Sequence, residues 1–239
     1  MLNLEALKPE MLEHARKETP AEACGLIAVV KGRQRYYPCK NLASDFNHFI
    51  LDPQDYARVE AMGEIVGVFH SHPKTAADPS QADMVSCETT KLYWIICNPD
   101  LETWVQLQPT GYQAPLVGRE YSYGVLDCVQ LCRDWYKSEY RIVFPYVSPP
   151  KNSQDWHKDP FLCLYLAKWG FNEVDKKSIQ YGDVLLMCLG QSQKPNHMAV
   201  YIGENQILHH LSGRLSSRDF YNDYWQRSTH SAMRYHGNP

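Results

Sequence analysis

The chain has 239 residues, of which 44% are hydrophobic and 21% are charged, and its formal net charge at pH 7 is −3. This length suits two domains of ordinary size, and the slightly acidic balance lacks the basic surface of a nucleic-acid-binding protein, so no nucleic acid partner is expected. No run of eighteen apolar residues occurs, so no membrane-spanning segment is expected. The first twenty residues are charged and contain no apolar core, which predicts no signal peptide. Without a signal, eight irregularly spaced cysteines predict reduced thiols rather than a disulfide framework.

Hydrophobic periodicity predicts alternating helices and strands in the first half of the chain. The predicted helices cover residues 4–18 and 53–62, and a third begins after Ser80. The predicted strands cover residues 23–30, a return strand through Tyr36 and Tyr37, and residues 65–69, 92–97 and 103–107. Proline and glycine residues between positions 108 and 115 predict a domain boundary near residue 112.

The most specific signal in this half directly follows the strand that ends at Phe69. His70 and His72 are separated by one residue, and Asp83 lies eleven residues later, with Ser80 between them. Two imidazoles and one carboxylate can hold a first-row metal and leave a position for water, as in catalytic zinc sites. A His-x-His pair alone is weak, because such histidines are often surface residues; Ser80 and Asp83 strengthen the signal. The two also read as a helix-capping sequence, and both roles can hold together.

This motif resembles that of the JAMM/MPN family of zinc peptidases. The resemblance implies Zn²⁺ as cofactor, with His70, His72 and Asp83 as its ligands. It also implies that Ser80 helps to bind the developing oxyanion.

The family additionally requires an upstream glutamate as general base, and the segment 20–26 is similar to its glutamate segment. The resemblance implies Glu22 for this role. Glu18 is the alternative, but it lies in a polar, helix-like stretch. Glu22 opens an apolar run, where an unpaired carboxylate would be costly to bury.

In the second half of the chain, hydrophobic periodicity predicts two helices and, near the end, a pair of strands. The helices cover residues 128–136 and 161–169, separated by a proline-rich loop over 144–160. The strands cover residues 197–203 and 206–210.

Cys128 stands at the start of the first of these helices. Free backbone N–H groups and the helix dipole at such a position favour a thiolate over a thiol. Most free cysteines are buried and inert, and the other seven are interpreted mainly as small core or strand residues. Cys128 and Cys132 are spaced like half of a metal site, but no second pair follows.

The segments Asp127-Cys128, 182–186 and 197–203 resemble those of the NlpC-type cell-wall cysteine peptidases, which have a papain-like core. The resemblance implies Cys128 as nucleophile, His197 as the base that activates it, and His209 as the residue that orients His197.

The choice of His209 depends on one turn. Three residues at 203–205 would place His209 on the same sheet face as His197, whereas a two-residue turn would place His210 there; the longer turn is expected. Tyr121 and Tyr123 are both candidates for a family tyrosine near the nucleophile.

The predicted architecture is therefore α+β in two domains. Residues 1–112 are expected to form a JAMM/MPN-like (cytidine-deaminase-like) zinc metallopeptidase domain, and residues 113–239 a papain-like NlpC-type cysteine peptidase domain. This order, without a signal peptide, resembles the lambda-like phage tail-tip assembly proteins.

That resemblance implies phage tail-tip proteins as partners and the peptide stem of peptidoglycan, cut beside a D-glutamyl linkage, as substrate of the second domain. It implies action in tail-tip assembly, in host-wall penetration, or in both, with the protein in the host cytoplasm during assembly and then in the virion tail. A chaperone or structural role with silent sites is the alternative. A cellular enzyme for ubiquitin-like sulfur carriers is a third interpretation, against which the cell-wall-type second domain argues.

Overall fold

The computed structural model describes residues 2–43, 48–147, 149–150 and 161–237. It divides into two compact units, Met1–Gln113 and Ala114–Pro239. Helices and strands are mixed in both, so the expected α+β class is confirmed. Most of the predicted proline-rich loop, namely residues 148 and 151–160, lies outside the described residues.

The first unit is built on a five-stranded sheet of order β2-β1-β3-β4-β5. Only the β3–β4 pair is parallel among these strands. The elements in chain order are α1 (Leu4–Glu18), β1 (Cys24–Val30), β2 (Arg33–Cys39), α2 (Pro53–Glu60), β3 (Glu64–Ser71), α3 (Gln81–Thr90), β4 (Tyr93–Asn98) and β5 (Thr103–Leu107).

Both faces of this sheet are covered, because its inner strands are apolar almost throughout. Successive side chains point to opposite faces. Ile27 and Ile95 pack with Met11 of α1 on one side, while Leu26 and Val68 pack with other apolar residues on the opposite side. The result is a rigid platform in which the end of β3 meets the start of α3.

The second unit contains a six-stranded antiparallel sheet of order β10-β9-β8-β7-β11-β6. Its elements in chain order are α4 (Cys128–Tyr140), α5 (Phe161–Lys168), β6 (Phe171–Val174), β7 (Val184–Met187), β8 (His197–Tyr201), β9 (Gln206–His209), β10 (Ser217–Phe220), α6 (Asp223–Ser228) and β11 (Thr229–Tyr235).

The amphipathic helix α4 packs against the middle of this sheet. Leu131 and Trp135 of α4 share a buried cluster with Met198 and Val200 of β8. The opposite face of the sheet has its own cluster around Ala199 and is closed by residues that include Trp225 of α6. Packing of α4 on β8 brings the start of the helix close to the start of that strand.

Candidate active sites

The His-x-His segment of the first unit is held from both sides at the end of β3. The hydroxyl of Ser71 accepts a hydrogen bond from the N–H of Ala23 (2.9 Å), beside β1. On the other side the N–H of His72 donates to the carbonyl of Cys97 in β4 (2.8 Å). The side chain of Asn98 donates to the carbonyl of His72 (3.0 Å). These bonds fix the backbone that carries the two imidazoles.

The three predicted metal ligands lie close together. The Nε2 atoms of His70 and His72 lie 3.1 Å apart. Oδ1 of Asp83 lies 3.2 Å from Nε2 of His70, and Oδ2 of Asp83 lies 3.7 Å from Nε2 of His72. Four ligands about 2.0–2.1 Å from a tetrahedral zinc ion would be separated by about 3.3 Å, so these spacings suit such an ion.

Glu22 is brought to the same place from the start of β1. It is buried, and its carboxylate offers an oxygen that lies, with one nitrogen each of His70 and His72, within a group spanning 4.8 Å. Its backbone carbonyl accepts a hydrogen bond from the side chain of Asn41 (2.9 Å). Glu22 is therefore close enough to act on a molecule bound between the imidazoles.

Ser80 and Asp83 form a complete capping box at the start of α3. The N–H and the hydroxyl of Ser80 both donate to Oδ2 of Asp83 (2.8 Å each), and the N–H of Asp83 donates to the hydroxyl of Ser80 (3.1 Å). Burial acts to raise the pKa of Asp83, but His70 and then Ser80 outweigh it and bring that pKa to about 2. The carboxylate is thus ionised and pre-oriented towards the histidines.

The two imidazoles are oriented by different means. Nδ1 of His72 lies 3.1 Å from the carbonyl of Ala76, which favours a proton on Nδ1 and leaves Nε2 free to bind a metal. Nδ1 of His70 is buried without a hydrogen-bond partner among the described residues. The ring of His70 packs instead against Phe49 and Trp94, at centroid distances of 4.8 and 5.6 Å, and these two rings also contact each other at 5.8 Å. Sequence reasoning missed both aromatic residues, since nothing local distinguishes them from ordinary core residues.

The second candidate site begins at the first residue of α4. The Asp127 carboxylate caps this helix by accepting bonds from the N–H groups of Val129 and Gln130 (3.0 Å each) and of Gly124 (2.9 Å). These contacts fix the direction in which Cys128 leaves the loop.

The Cys128 thiol is directed at the start of β8, where the N–H of Met198 points to its sulfur. Burial raises the pKa of this thiol to about 12, and the charge of Asp127 adds to the rise; the N–H groups of Met198, Cys128 and Val129 act in the opposite direction. The N–H groups at the helix start therefore favour the thiolate, as expected, but burial outweighs them and the pKa of the thiol is raised overall.

His197 and His209 meet through the turn between β8 and β9. The register pairs Tyr201 with Ile207 and Ala199 with His209, and Ile202 bonds to Gln206, so the turn consists of the three residues 203–205. His209 consequently shares a face with His197.

Nδ1 of His209 lies 3.1 Å from Nε2 of His197. Both rings are buried, and the ring of Trp225 packs edge-on to His209 at 4.5 Å. Burial, and next the neighbouring His209 and His210, lower the pKa of His197 to about 3. In the resting site both His197 and the Cys128 thiol are therefore uncharged at neutral pH.

Sequence reasoning also missed Asp219, on strand β10. Its Oδ2 lies 3.1 Å from Nε2 of His209, at an angle that leaves this nitrogen without a well-formed hydrogen bond. The other oxygen accepts bonds from the hydroxyl of Ser217 (2.8 Å) and the guanidinium of Arg214 (3.1 Å). Strand β10 is short and largely polar, so its pairing with β9 has little signal in the sequence.

His210, Tyr121 and Tyr123 are the remaining candidates for this site, and each has its own contacts. The ring of His210 contacts that of Tyr121 edge-on at 5.1 Å. Burial, and next the nearby Cys128, raise the pKa of Tyr121. The hydroxyl of Tyr123 donates to the carbonyl of Pro150 (2.7 Å). Tyr123 in turn packs against the buried cluster that includes Cys128, so both tyrosines stay candidates.

Comparison with known proteins finds one peptidase-family domain in each half of the chain. A model of prokaryotic homologs of the JAB domain matches residues 4–107, and a model of the NlpC/P60 family matches residues 118–234. Tail tip assembly protein K of Escherichia phage N15 is 36% identical over 238 residues, which cover 94% of this chain and 92% of that protein. The chain belongs to the tail tip assembly protein K family.

A second relative in this family is tail tip assembly protein K of Escherichia phage lambda, 35% identical over 189 residues that cover 77% of this chain and 89% of that protein. The first half is also similar to a desampylase of Haloferax volcanii, 29% identical over 106 residues that cover 39% of this chain and 76% of that protein. The expected fusion of a JAMM-like and an NlpC-type domain is confirmed, and both are peptidase-family domains. No helix within the described residues is long and apolar enough to cross a membrane.

Proposed function

We propose that this tail tip assembly protein is a bifunctional hydrolase. Its second unit is a cysteine peptidase that cuts peptidoglycan stem peptides beside a D-glutamyl linkage, and its first unit is a zinc-dependent peptidase or isopeptidase. The observation that carries the proposal is the 3.1 Å contact between His197 and His209 at the end of the sheet where the Cys128 sulfur meets the N–H of Met198.

The second centre performs acyl transfer through Cys128. Because Nε2 of His197 is engaged with His209, Nδ1 is the nitrogen left to take the thiol proton. The sulfur attacks the carbonyl carbon of the stem peptide as that proton moves to His197, and His197 then returns it to the leaving amine. Water hydrolyses the resulting thioester and regenerates the thiol. Since the Cys128 thiol and the His197 imidazole are both neutral before the reaction, the thiolate–imidazolium pair forms only as the sulfur attacks.

The first centre has the donor set of a catalytic zinc site, two imidazoles and a carboxylate with room for water. His70, His72 and Asp83 would hold the ion, which when bound lowers the pKa of a water ligand to about 7. Glu22 would be the group that takes a proton from an attacking water and passes it to the leaving amine. The Ser80 hydroxyl assists the developing oxyanion, for which it has to release Asp83.

The relatives support a role in the phage tail. Two proteins named for tail tip assembly match 94% and 77% of this chain, so we propose tail-tip proteins as partners, with action in the host cytoplasm during assembly and in the virion tail at the host wall. The desampylase that resembles the first half supports an isopeptide or peptide bond as the target of that half.

The decisive experiment is digestion of purified peptidoglycan followed by mass spectrometry of the released fragments. Wild-type protein is expected to release fragments cut beside D-glutamyl residues, and Cys128→Ala to release none. Cys163→Ala, a partly exposed cysteine on α5, is the matched control and should behave as wild type. Equal release by wild type and Cys128→Ala would remove Cys128 from the mechanism.

A structural or chaperone role with silent sites is the alternative that the assembly-named relatives favour. It predicts that the double variant Glu22→Ala, Cys128→Ala still supports tail assembly and yields infectious particles. Loss of infectivity by this variant, with normal folding, supports the hydrolase.

A further inference from the structure

We propose that Asp219 is a positioning residue of the second centre, which sets the tautomer of His209 and through it that of His197. The proposal rests on the cysteine peptidase function proposed above. It concerns a residue on the edge strand β10, which lies outside the three groups that the resemblance supplies.

The geometry is a row of side chains that ends at a carboxylate. His197 Nε2 lies 3.1 Å from His209 Nδ1, and His209 Nε2 lies 3.1 Å from Asp219 Oδ2. His209 is only 1% exposed, so its ring is shielded from bulk water. The pairing of Ser217 with His209 across the two strands brings the carboxylate to this position.

The tautomer follows from what each atom can do. A carboxylate only accepts hydrogen bonds, so it favours a proton on Nε2 of His209. Nδ1 of His209 must then be the acceptor, which places the proton of His197 on its Nε2. The other ring nitrogen of His197 is left unprotonated, and this is the form that can take the proton of the Cys128 thiol.

Asp219 is itself firmly held. Arg214 and Ser217 both donate to its second oxygen, which leaves Oδ2 to face the imidazole. Burial acts to raise the pKa of Asp219, but Ser217, His209 and Arg214 together lower it, so the group is ionised at neutral pH. A small rotation of either side chain would turn the 3.1 Å contact into a full hydrogen bond.

The direct test is the ¹⁵N spectrum of the two histidines at neutral pH in the full-length protein. Wild type should show His209 protonated on Nε2 and His197 protonated on Nε2. Asp219→Asn keeps the shape but can present an N–H₂ donor to His209, so both rings should shift towards protonation on Nδ1. Asp223→Asn, an exposed carboxylate at the start of α6, is the matched control and should leave both tautomers unchanged. Wild-type tautomers in Asp219→Asn, or a wild-type His209 protonated on Nδ1, would overturn the proposal.

Kinetics on stem peptides supply the second readout. Asp219→Asn is expected to lower kcat by about tenfold to hundredfold with little change in KM, because the wrong tautomer removes the base and leaves substrate binding intact. Asp219→Glu should recover part of the loss. A loss of kcat/KM that comes only from a higher KM, with kcat unchanged, would contradict the inference. If the wild type lacks peptidase activity, the proposed function fails, while the ¹⁵N spectra still decide the role of Asp219.

Discussion

The ring of Phe49 lies over the imidazole of His70, with centroids 4.8 Å apart and planes inclined by 30°. Trp94 meets the same imidazole edge-on at 5.6 Å. Metal-binding histidines usually owe their orientation to a hydrogen bond from the second ring nitrogen, and His72 has such a contact with Ala76. For His70 the two aromatic rings take over this orienting role.

Phe49→Ala should therefore weaken zinc binding without removing a ligand. Freed from one side, His70 can rotate, and we expect a loss in affinity of about tenfold, similar to the loss of an outer hydrogen bond. Competition with a chromophoric chelator measures the affinity, and the visible spectrum of the cobalt-substituted protein reports the coordination geometry. Ile50→Ala, at an exposed neighbouring position, is the control. Equal affinities in the two variants would show that the ring of Phe49 is dispensable.

Metal content tests the ligand assignment itself. Wild-type protein should retain about one zinc per chain, whereas His70→Ala and Asp83→Ala should lose it, because only two ligands of the three remain. Plasma mass spectrometry after dialysis gives the stoichiometry. Asp78→Ala removes an exposed carboxylate from the same loop and should keep the metal. Retention by either ligand variant would refute its assignment.

The ionisation state of Cys128 can be read from its rate of alkylation. Burial and Asp127 raise the pKa of this thiol to about 12, and His197, with a pKa of about 3, is neutral at pH 7. Because the thiolate is the reactive form, alkylation by iodoacetamide should rise about tenfold per pH unit from pH 6 to 9. Peptide mass spectrometry separates Cys128 from the other cysteines. A rate that is already constant at pH 6 would indicate a preformed thiolate–imidazolium pair.

A carboxylate on α3 secures the end of the first unit. Oε1 of Glu88 accepts bonds from the N–H groups of Thr110 (2.5 Å), Gly111 (2.7 Å) and Tyr112 (3.0 Å). These N–H groups, led by that of Thr110, and the ammonium of Lys91 lower the pKa of Glu88 from 4.5 to about 2. A depressed pKa means that the folded state favours the ionised form. The stabilisation is complete above about pH 4.5 and is lost as the pH falls through about 2.

Glu88→Gln should therefore speed hydrogen exchange at these three amides at pH 7. The difference from wild type should shrink as the pH approaches 2. Glu13→Gln, an exposed carboxylate on α1, should have no such effect. A difference that stays constant across this pH range would mean that the charge of Glu88 is not what holds the segment.

Local signals in the sequence were sufficient for much of the fold. The predicted bounds of α1 (Leu4–Glu18) and β5 (Thr103–Leu107) match the structure, because helix amphipathicity and strand patterning act within a few residues. The helix predicted over 53–62 ends earlier, at Glu60, where the N–H groups of Met62 and Gly63 both bond to Val59.

In the candidate sites, too, contacts set by local sequence were predictable and contacts between distant elements were not. The convergence of His70, His72 and Asp83 was predictable because one strand end and one helix start carry all three. The contacts of Phe49 and Asp219 were not, because each depends on packing between elements far apart in the chain. The raised pKa of Cys128 also needed the structure, since burial of its thiol by the rest of the unit is not visible in the residues around it.

The number of residues in the turn at 203–205 decides which histidine faces His197. Removing one residue there would slide β9 by one position against β8, turn His209 to the opposite face and offer His210 in its place. Insertions and deletions in surface turns are ordinarily the mildest of mutations. Here the deletion of a single residue would separate His209 from His197, although both histidines are still encoded.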